Sequence, residues 1–439
     1  MTVSLGATTG AATAGLRAGS MTKVEKTVLP GGVRLVSESQ PHAYSVTLGM
    51  WLEVGSRDEG PLQSGVSHFI EHMAFKGTAG RSALDIAREI DRLGGLANAF
   101  TSKENTCFHA RALANHLPEL CDLLTDLALR PALDPQEMER EREVILQEIC
   151  SVEDTPDELV HVLFGQNFWP DHPLGRPVLG SEETVTALDR QAIQDYMRAT
   201  YLPQATVISA VGNLEHQRLV DLLGETLMAL PQRPSALARK PPVSRPGLHV
   251  IGRELEQVHL TLGTPAPSAT SDERFVAALL NLILGGNMSS RLFQEVRERR
   301  GLAYAVYSYL SSYSDSGLLG VYLGVSPARA AEALRVVRQE MERLAAEPVG
   351  EHELADARES LKGSILLAAE NPESRMSRLA RNEYNFGRDV PLDEAVAQVE
   401  AVTAADLEGL AGRMLDTARL GVTVLGPVDE DSFRAEVGW

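Results

Sequence analysis

The chain has 439 residues, 44% of them hydrophobic, with 41 basic against 60 acidic side chains and a net charge of −19. That length exceeds one ordinary core and predicts two domains of about 200 residues each. The acidic balance argues against nucleic-acid binding and favours cationic or neutral partners, and no apolar run is long enough to cross a membrane.

Met1 to Ser20 is rich in Ala, Gly and Thr, carries Arg17 as its one charge, and lacks the basic start and apolar core of a secretory signal. Residues 1–22 are therefore expected to be a disordered extension, with Met21 an alternative start. Cys107, Cys121 and Cys150 are odd in number and not spaced as a metal knuckle, which fits reduced thiols in a cytoplasmic protein. Strand patterns over 33–37 and 46–54 precede the first segment with chemistry in it.

That segment is His68-Phe69-Ile70-Glu71-His72, a His-x-x-Glu-His word that reverses the commoner zinc-protease order. On a helix, His68 and His72 stack four residues apart and can direct two ring nitrogens at one cation, while Glu71 is offset beside them as a base. Ser64 is the expected N-cap, 65–67 the first turn, and Gly77 the expected stop. The alternative is a core helix whose histidines are hydrogen-bonded bystanders. A catalytic zinc takes three protein ligands, so a third must come from elsewhere. Further helices are predicted at 83–93, 117–129 and 135–152, the last with Asp134 as N-cap and Pro135 at its first position. Glu141 and Glu148 lie two turns apart on one face of it, whereas Glu139 and Glu143 fall elsewhere. Spacing alone favours an acidic surface helix there.

The run from His68 to Thr78, followed by Glu141-Arg142-Glu143-Val144-Ile145-Leu146-Gln147-Glu148, resembles the pitrilysin-type (inverzincin) zinc metallopeptidases. Within them it is most similar to the beta-subunit branch of mitochondrial processing peptidase and its bacterial single-gene relatives, over nearly the whole chain from Lys23. The resemblance implies one zinc held by His68, His72 and Glu148, Glu71 as general base, and Glu141 as a carboxylate orienting a ligating histidine. It implies an α+β, LuxS-like metallohydrolase fold, and a zinc endopeptidase that encloses short or unfolded peptides in a chamber. It also implies that Asn98-Ala99-Phe100-Thr101 is an edge strand to which substrate adds as another strand; a purely structural edge strand is the alternative. The loop 172–177 also matches the family and receives no chemical role.

The second half repeats the first. Residues 89–99 align without a gap to 295–305, each a helix end, a glycine stop and a strand, and Ala205 to Gly212 is echoed by Gly421 to Gly426. Between the halves, 230–247 carries five prolines and reads as an extended linker. The expected architecture is a catalytic domain over 23–229, this linker, and a homologous domain over 248–439, each a mostly antiparallel sheet packed with helices. A strand is expected over 258–263, helical segments ending at Leu284 and Arg300, strands over 302–310 and 317–323, then mostly helix. Opposite the metal word the second copy has Arg274-Phe275-Val276-Ala277-Ala278, with no ligand. In the family this domain supplies an arginine and a tyrosine seven residues apart, here Arg297 and Tyr304, to steady the oxyanion or hold the peptide; by themselves they read as a solvated helix residue and a packed strand residue.

A second hypothesis is a non-catalytic scaffold or partner subunit. Such relatives lose part of the zinc word, which this chain keeps, and 284–293 lacks the long glycine-rich loop of the alpha type; Asn287, where glycine is usual, affects local loop shape. Because the family's chamber takes four domains, a homodimer is expected, or a heterodimer with a related chain. Net charge weakly favours basic peptides.

Overall fold

The computed structural model describes residues 23–233 and 238–439. The expected N-terminal extension and the question of Met21 lie outside the described residues. Eleven strands among those described form two sheets. The first contains β1 (Val24–Val28), β2 (Arg34–Ser39), β3 (Ser45–Leu52), β4 (Leu96–Thr101), β5 (Thr106–Leu113) and β6 (Thr206–Gly212) in the order β1-β2-β6-β3-β5-β4. The second contains β7 (Gly247–Gly252), β8 (Val258–Ala266), β9 (Ala303–Ser312), β10 (Gly317–Val325) and β11 (Gly421–Gly426) in the order β7-β11-β8-β10-β9.

Apart from β1, the sheets correspond strand for strand. A late strand, β6 or β11, inserts parallel to the first strand of its half and antiparallel to the next. The two aligned segments both end in an edge strand, β4 and β9. The helix-stop residue with positive φ is Gly94 in one copy (φ 60°) and Gly301 in the other (φ 57°), one position away from the gapless alignment. The second copy's helix closes as a π-helix over Phe293–Arg299, whose wider turn takes up the extra residue.

Strand β3 is nearly all apolar because both its faces are covered. Val46, Leu48, Met50 and Leu52 join a core with the helices Val66–Ala74 and Leu117–Leu129. Trp51 faces the other way and packs with Val207, Val211, Met376 and Leu379. Those last two belong to Pro372–Phe386, a helix of the second half. It crosses so close that a Cβ on Gly49 would sit 2.4 Å from Met376 Sδ. The exchange is mutual. Helix Pro156–Phe168 of the first half lies on the second sheet, where Val160 packs with Tyr322 and Leu425, and Phe164 and Phe168 with Leu318.

The sequence division at 230–247 thus marks a change of sheet, while one helix from each half covers the other half's sheet. Charges reinforce the crossing. Arg375 Nε meets Glu38 Oε2 at 2.5 Å with both side chains buried, and Lys26 Nζ meets Glu383 Oε1 at 2.6 Å. Arg57 grips Asp315 through two bonds of 2.8 and 2.7 Å. In the described part of the linker before β7, which has no regular element, Arg239 donates through Nε and Nη2 to the two Asp58 carboxylate oxygens at 2.9 and 2.8 Å. No helix among the described residues is long and apolar enough to cross a membrane.

Candidate metal centre and active site

Helix Val66–Ala74 carries the word, but not with the expected ends. Its N-cap is Gly65 in the left-handed region (φ 94°), and Ser64 supplies no side-chain cap. The first-turn amides go instead to Glu59, whose Oε2 accepts from Gly65 N at 2.8 Å and Oε1 from Ser67 N at 2.9 Å. A buried carboxylate at a helix N-terminus satisfies donors and complements the dipole at once. Burial pushes that carboxyl up to about 7. At the other end the helix stops at Ala74, capped by Phe75, so Gly77 lies beyond it and bridges to Ser82. The helix Pro135–Glu153 begins as expected, Asp134 Oδ1 accepting from Gln136 N at 2.9 Å and Glu137 N at 3.1 Å.

These two helices pack together and bring His68, His72 and Glu148 into one cluster. The imidazole centroids are 4.6 Å apart. Glu148 Oε2 lies 3.6 Å from His68 Nε2 and 3.5 Å from His72 Nε2, and one donor atom from each residue falls within 4.8 Å of the others. Two ligand atoms bound to a tetrahedral zinc at about 2.1 Å would be separated by about 3.4 Å, so the donors present fit that ion in type and spacing. Burial and the neighbouring His72 lower the His68 pKa to about 4, which leaves its ring neutral and able to ligate at pH 7. His72 Nδ1 lies 3.1 Å from Glu141 Oε2; donated there, its proton frees Nε2. Lys76 Nζ lies 2.6 Å from the second oxygen of Glu141 and compensates that buried charge. His68 Nδ1 is buried with no partner.

Glu71 Oε2 is likewise buried without a partner. Burial raises the Glu71 pKa, assisted by the charge of Glu148 and opposed by Thr101 and His72. Thr101 ends β4, which pairs with β5 alone and forms the edge of the sheet, with Asn98 opposite His109 and Ala99 opposite Phe108. Ala99 sits in the same core as the metal-word helix, while Phe100 points to the opposite face against Trp51, ring centroids 5.5 Å apart. The expected strand 98–101 is therefore an available edge beside Glu71.

Arg297 and Tyr304 are in contact with each other: the guanidinium lies 5.0 Å from the Tyr304 ring centroid and 4.8 Å from that of Phe293. Tyr304, in β9, is 81% exposed. No hydrogen bond, ion pair or ring contact among the described residues joins either to His68, Glu71, His72 or Glu148. Within the described chain Tyr304 lies on the edge strand of the second sheet and Arg297 in the π-helix that leads into it. Sequence reading missed Glu59, which no capping rule places six and eight residues from its donors, and Lys76. Lys76 had a signal: it stands one turn after His72, on the face that meets Glu141. The loop 172–177 also connects here, Arg176 donating to the Glu59 carbonyl at 2.7 Å.

Comparison with known proteins identifies the family. The family described as Insulinase (Peptidase family M16) matches residues 34–182, and that described as Peptidase M16 inactive domain matches 187–361. An uncharacterized zinc protease of Mycobacterium tuberculosis is 40% identical over 411 residues, covering 92% of this chain and 93% of its own. One from Bacillus subtilis is 37% identical over 404 residues, covering 92% and 98%. The fold matches a protease from Helicobacter pylori with a TM-score of 0.86 at 21% identity, covering 92% of this chain and 100% of that one. It also matches a peptidase M16 inactive domain from Pseudomonas fluorescens with a TM-score of 0.87 at 20% identity, covering 93% and 98%. A ligand-competent His68, His72 and Glu148 cluster in a duplicated α+β fold, with relatives this similar over nine-tenths of their length, places the chain in the insulinase family of peptidases, M16.

Proposed function

We propose that the chain is a zinc endopeptidase with one metal site, formed by His68, His72 and Glu148. The observation that carries this reading is the approach of two imidazole Nε2 atoms to a single Glu148 oxygen at 3.6 and 3.5 Å. When bound, zinc brings the pKa of a coordinated water toward neutrality and polarises a carbonyl. Glu141 holds the His72 tautomer. Glu71 Oε2, with no competing partner, takes a proton from the attacking water and returns it to the departing amine. Strand β4 offers main-chain donors and acceptors to an extended peptide, which suits short or unfolded substrates cut without strict side-chain selection.

Tyr304, exposed in edge strand β9, and Arg297, half-buried in the π-helix before it, are assigned to substrate contacts across a homodimer or a dimer with a related chain. The net charge of −19 favours the approach of basic peptides over long range. The cytoplasm suits three free thiols, two of them buried. The test is metal analysis with cleavage of a quenched peptide. Glu71→Gln is expected to retain stoichiometric zinc and lose about 10²- to 10⁴-fold in kcat/KM; full cleavage by that variant would remove Glu71 from its role.

A further inference from the structure

Strand β4 has two faces, and the chemistry described so far uses one. On the other, behind Phe100, a cavity of about 740 Å³ opens between β4, β5 and the exchanged helix Pro372–Phe386. Its wall carries three guanidinium groups at three-residue spacing on that helix, Arg375, Arg378 and Arg381. Arg375 is 6% exposed; Glu38 meets its Nε at 2.5 Å and Asp389 stands 3.8 Å from Nη2, but Nη1 is buried with no partner. Arg378 donates through Nη2 to the Val390 carbonyl at 3.1 Å, while its Nε is also buried and unpartnered. Arg381 is exposed and makes no hydrogen bond or ion pair among the described residues. The one carboxylate on the wall, Glu373, acts on His109 at the far side.

In a chain with 19 more acidic than basic side chains, three guanidinium groups gathered on one wall with a single carboxylate, Arg381 among them exposed and without a partner among the described residues, make a cationic pocket suited to an external anion. A carboxylate that accepts from the open Arg381 guanidinium makes charge-assisted, bidentate hydrogen bonds, and Arg375 and Arg378 add to the positive potential around it. We propose that this cavity is a substrate subsite that selects an acidic side chain, aspartate or glutamate, in a peptide laid along β4. The pleat supplies the geometry. Side chains of an added strand alternate between faces, and one opposite Phe100 would stand about 5 Å from it on the arginine side. Its neighbours would point to the face of Ala99 and Thr101, where Glu71 lies. Long-range preference for cations and local selection of one carboxylate are compatible, because they act at different distances.

The inference rests on the reading of β4 as the substrate strand, so its test separates binding from cleavage. Labelled ten-residue peptides, each with a glutamate at a different position and each matched to its glutamine counterpart, are titrated onto zinc-loaded Glu71→Gln protein. At one register the glutamate peptide is expected to bind at least tenfold tighter, and the added pair Arg378→Gln and Arg381→Gln to abolish that ratio. Arg381→Gln alone, at an exposed position, should lower the ratio if the paired variant fails to fold. Equal affinities at every register overturn the inference. Pyrophosphate that binds while glutamate and glutamine peptides remain equal also overturns it, assigning the cavity to a free anion. A glutamate preference in binding, with no cleavage of any peptide by the wild type, supports the subsite and overturns the peptidase reading instead.

Discussion

Replacing Glu59 with glutamine isolates the group that holds the N-terminus of the metal-word helix. The carboxyl is buried, and its pKa stands at about 7 against an ordinary 4.5. At about 1.36 kcal/mol per pH unit, the folded state prefers the protonated form by about 3 kcal/mol more than the unfolded chain does. Because the folded value is the higher one, this contribution is fully present below pH 4.5 and is lost as pH rises through about 7. Between pH 5 and pH 8 the wild type therefore surrenders about 2–3 kcal/mol that Glu59→Gln, which cannot titrate there, does not. Hydrogen exchange of a peptide spanning 60–75, corrected for intrinsic rates and read at fixed free zinc, measures local opening in both proteins. The gap between the two should change by that amount across the pH range. An unchanged gap would refute the assignment of the perturbed carboxyl to Glu59 and the pH dependence built on it.

Three further outcomes follow from the contacts around the site and between the halves. Glu141→Ala removes the acceptor of the His72 Nδ1 proton and should weaken zinc binding about 10- to 100-fold in chelator competition, with the far-ultraviolet spectrum unchanged. Glu38→Ala leaves the Arg375 guanidinium buried beside a more distant Asp389, and should cost about 3–5 kcal/mol in denaturant unfolding. Stripping the metal with a chelator should abolish peptide cleavage, and stoichiometric zinc should restore it; cleavage that persists without metal would rule out the His68 centre.

Much of the site was legible because its signals are local. Helical spacing put His68 over His72, and Asp134-Pro135 announced the helix that brings Glu141 and Glu148 across. What could not be read was which surfaces meet. The apolar positions of 156–168 and 372–386 mark buried faces, yet periodicity does not name the partner, and each helix covers the sheet of the other half. The N-cap at Ser64 failed for a related reason: a side chain from the preceding loop, Glu59, took over the amides that a capping residue would have held. Nothing in the sequence singles out Arg378 and Arg381, which the fold sets behind β4. The contact between Arg297 and Tyr304 could not be read from their seven-residue spacing, because it joins a helix end to the strand that follows it.

The exchanged helices also impose an order on synthesis. The face of the first sheet that bears Trp51, Val207 and Val211 is covered by Met376 and Leu379. Strand β6 ends at Gly212, and the covering helix ends at Phe386, which is 386 − 212 = 174 residues later. At about 5–20 residues per second that face waits roughly 9–35 s on the ribosome before its cover emerges. The amino-terminal half of this protein is thus born with an open apolar sheet, and how long that face stays open is set by the distance along the gene to the helix that completes it.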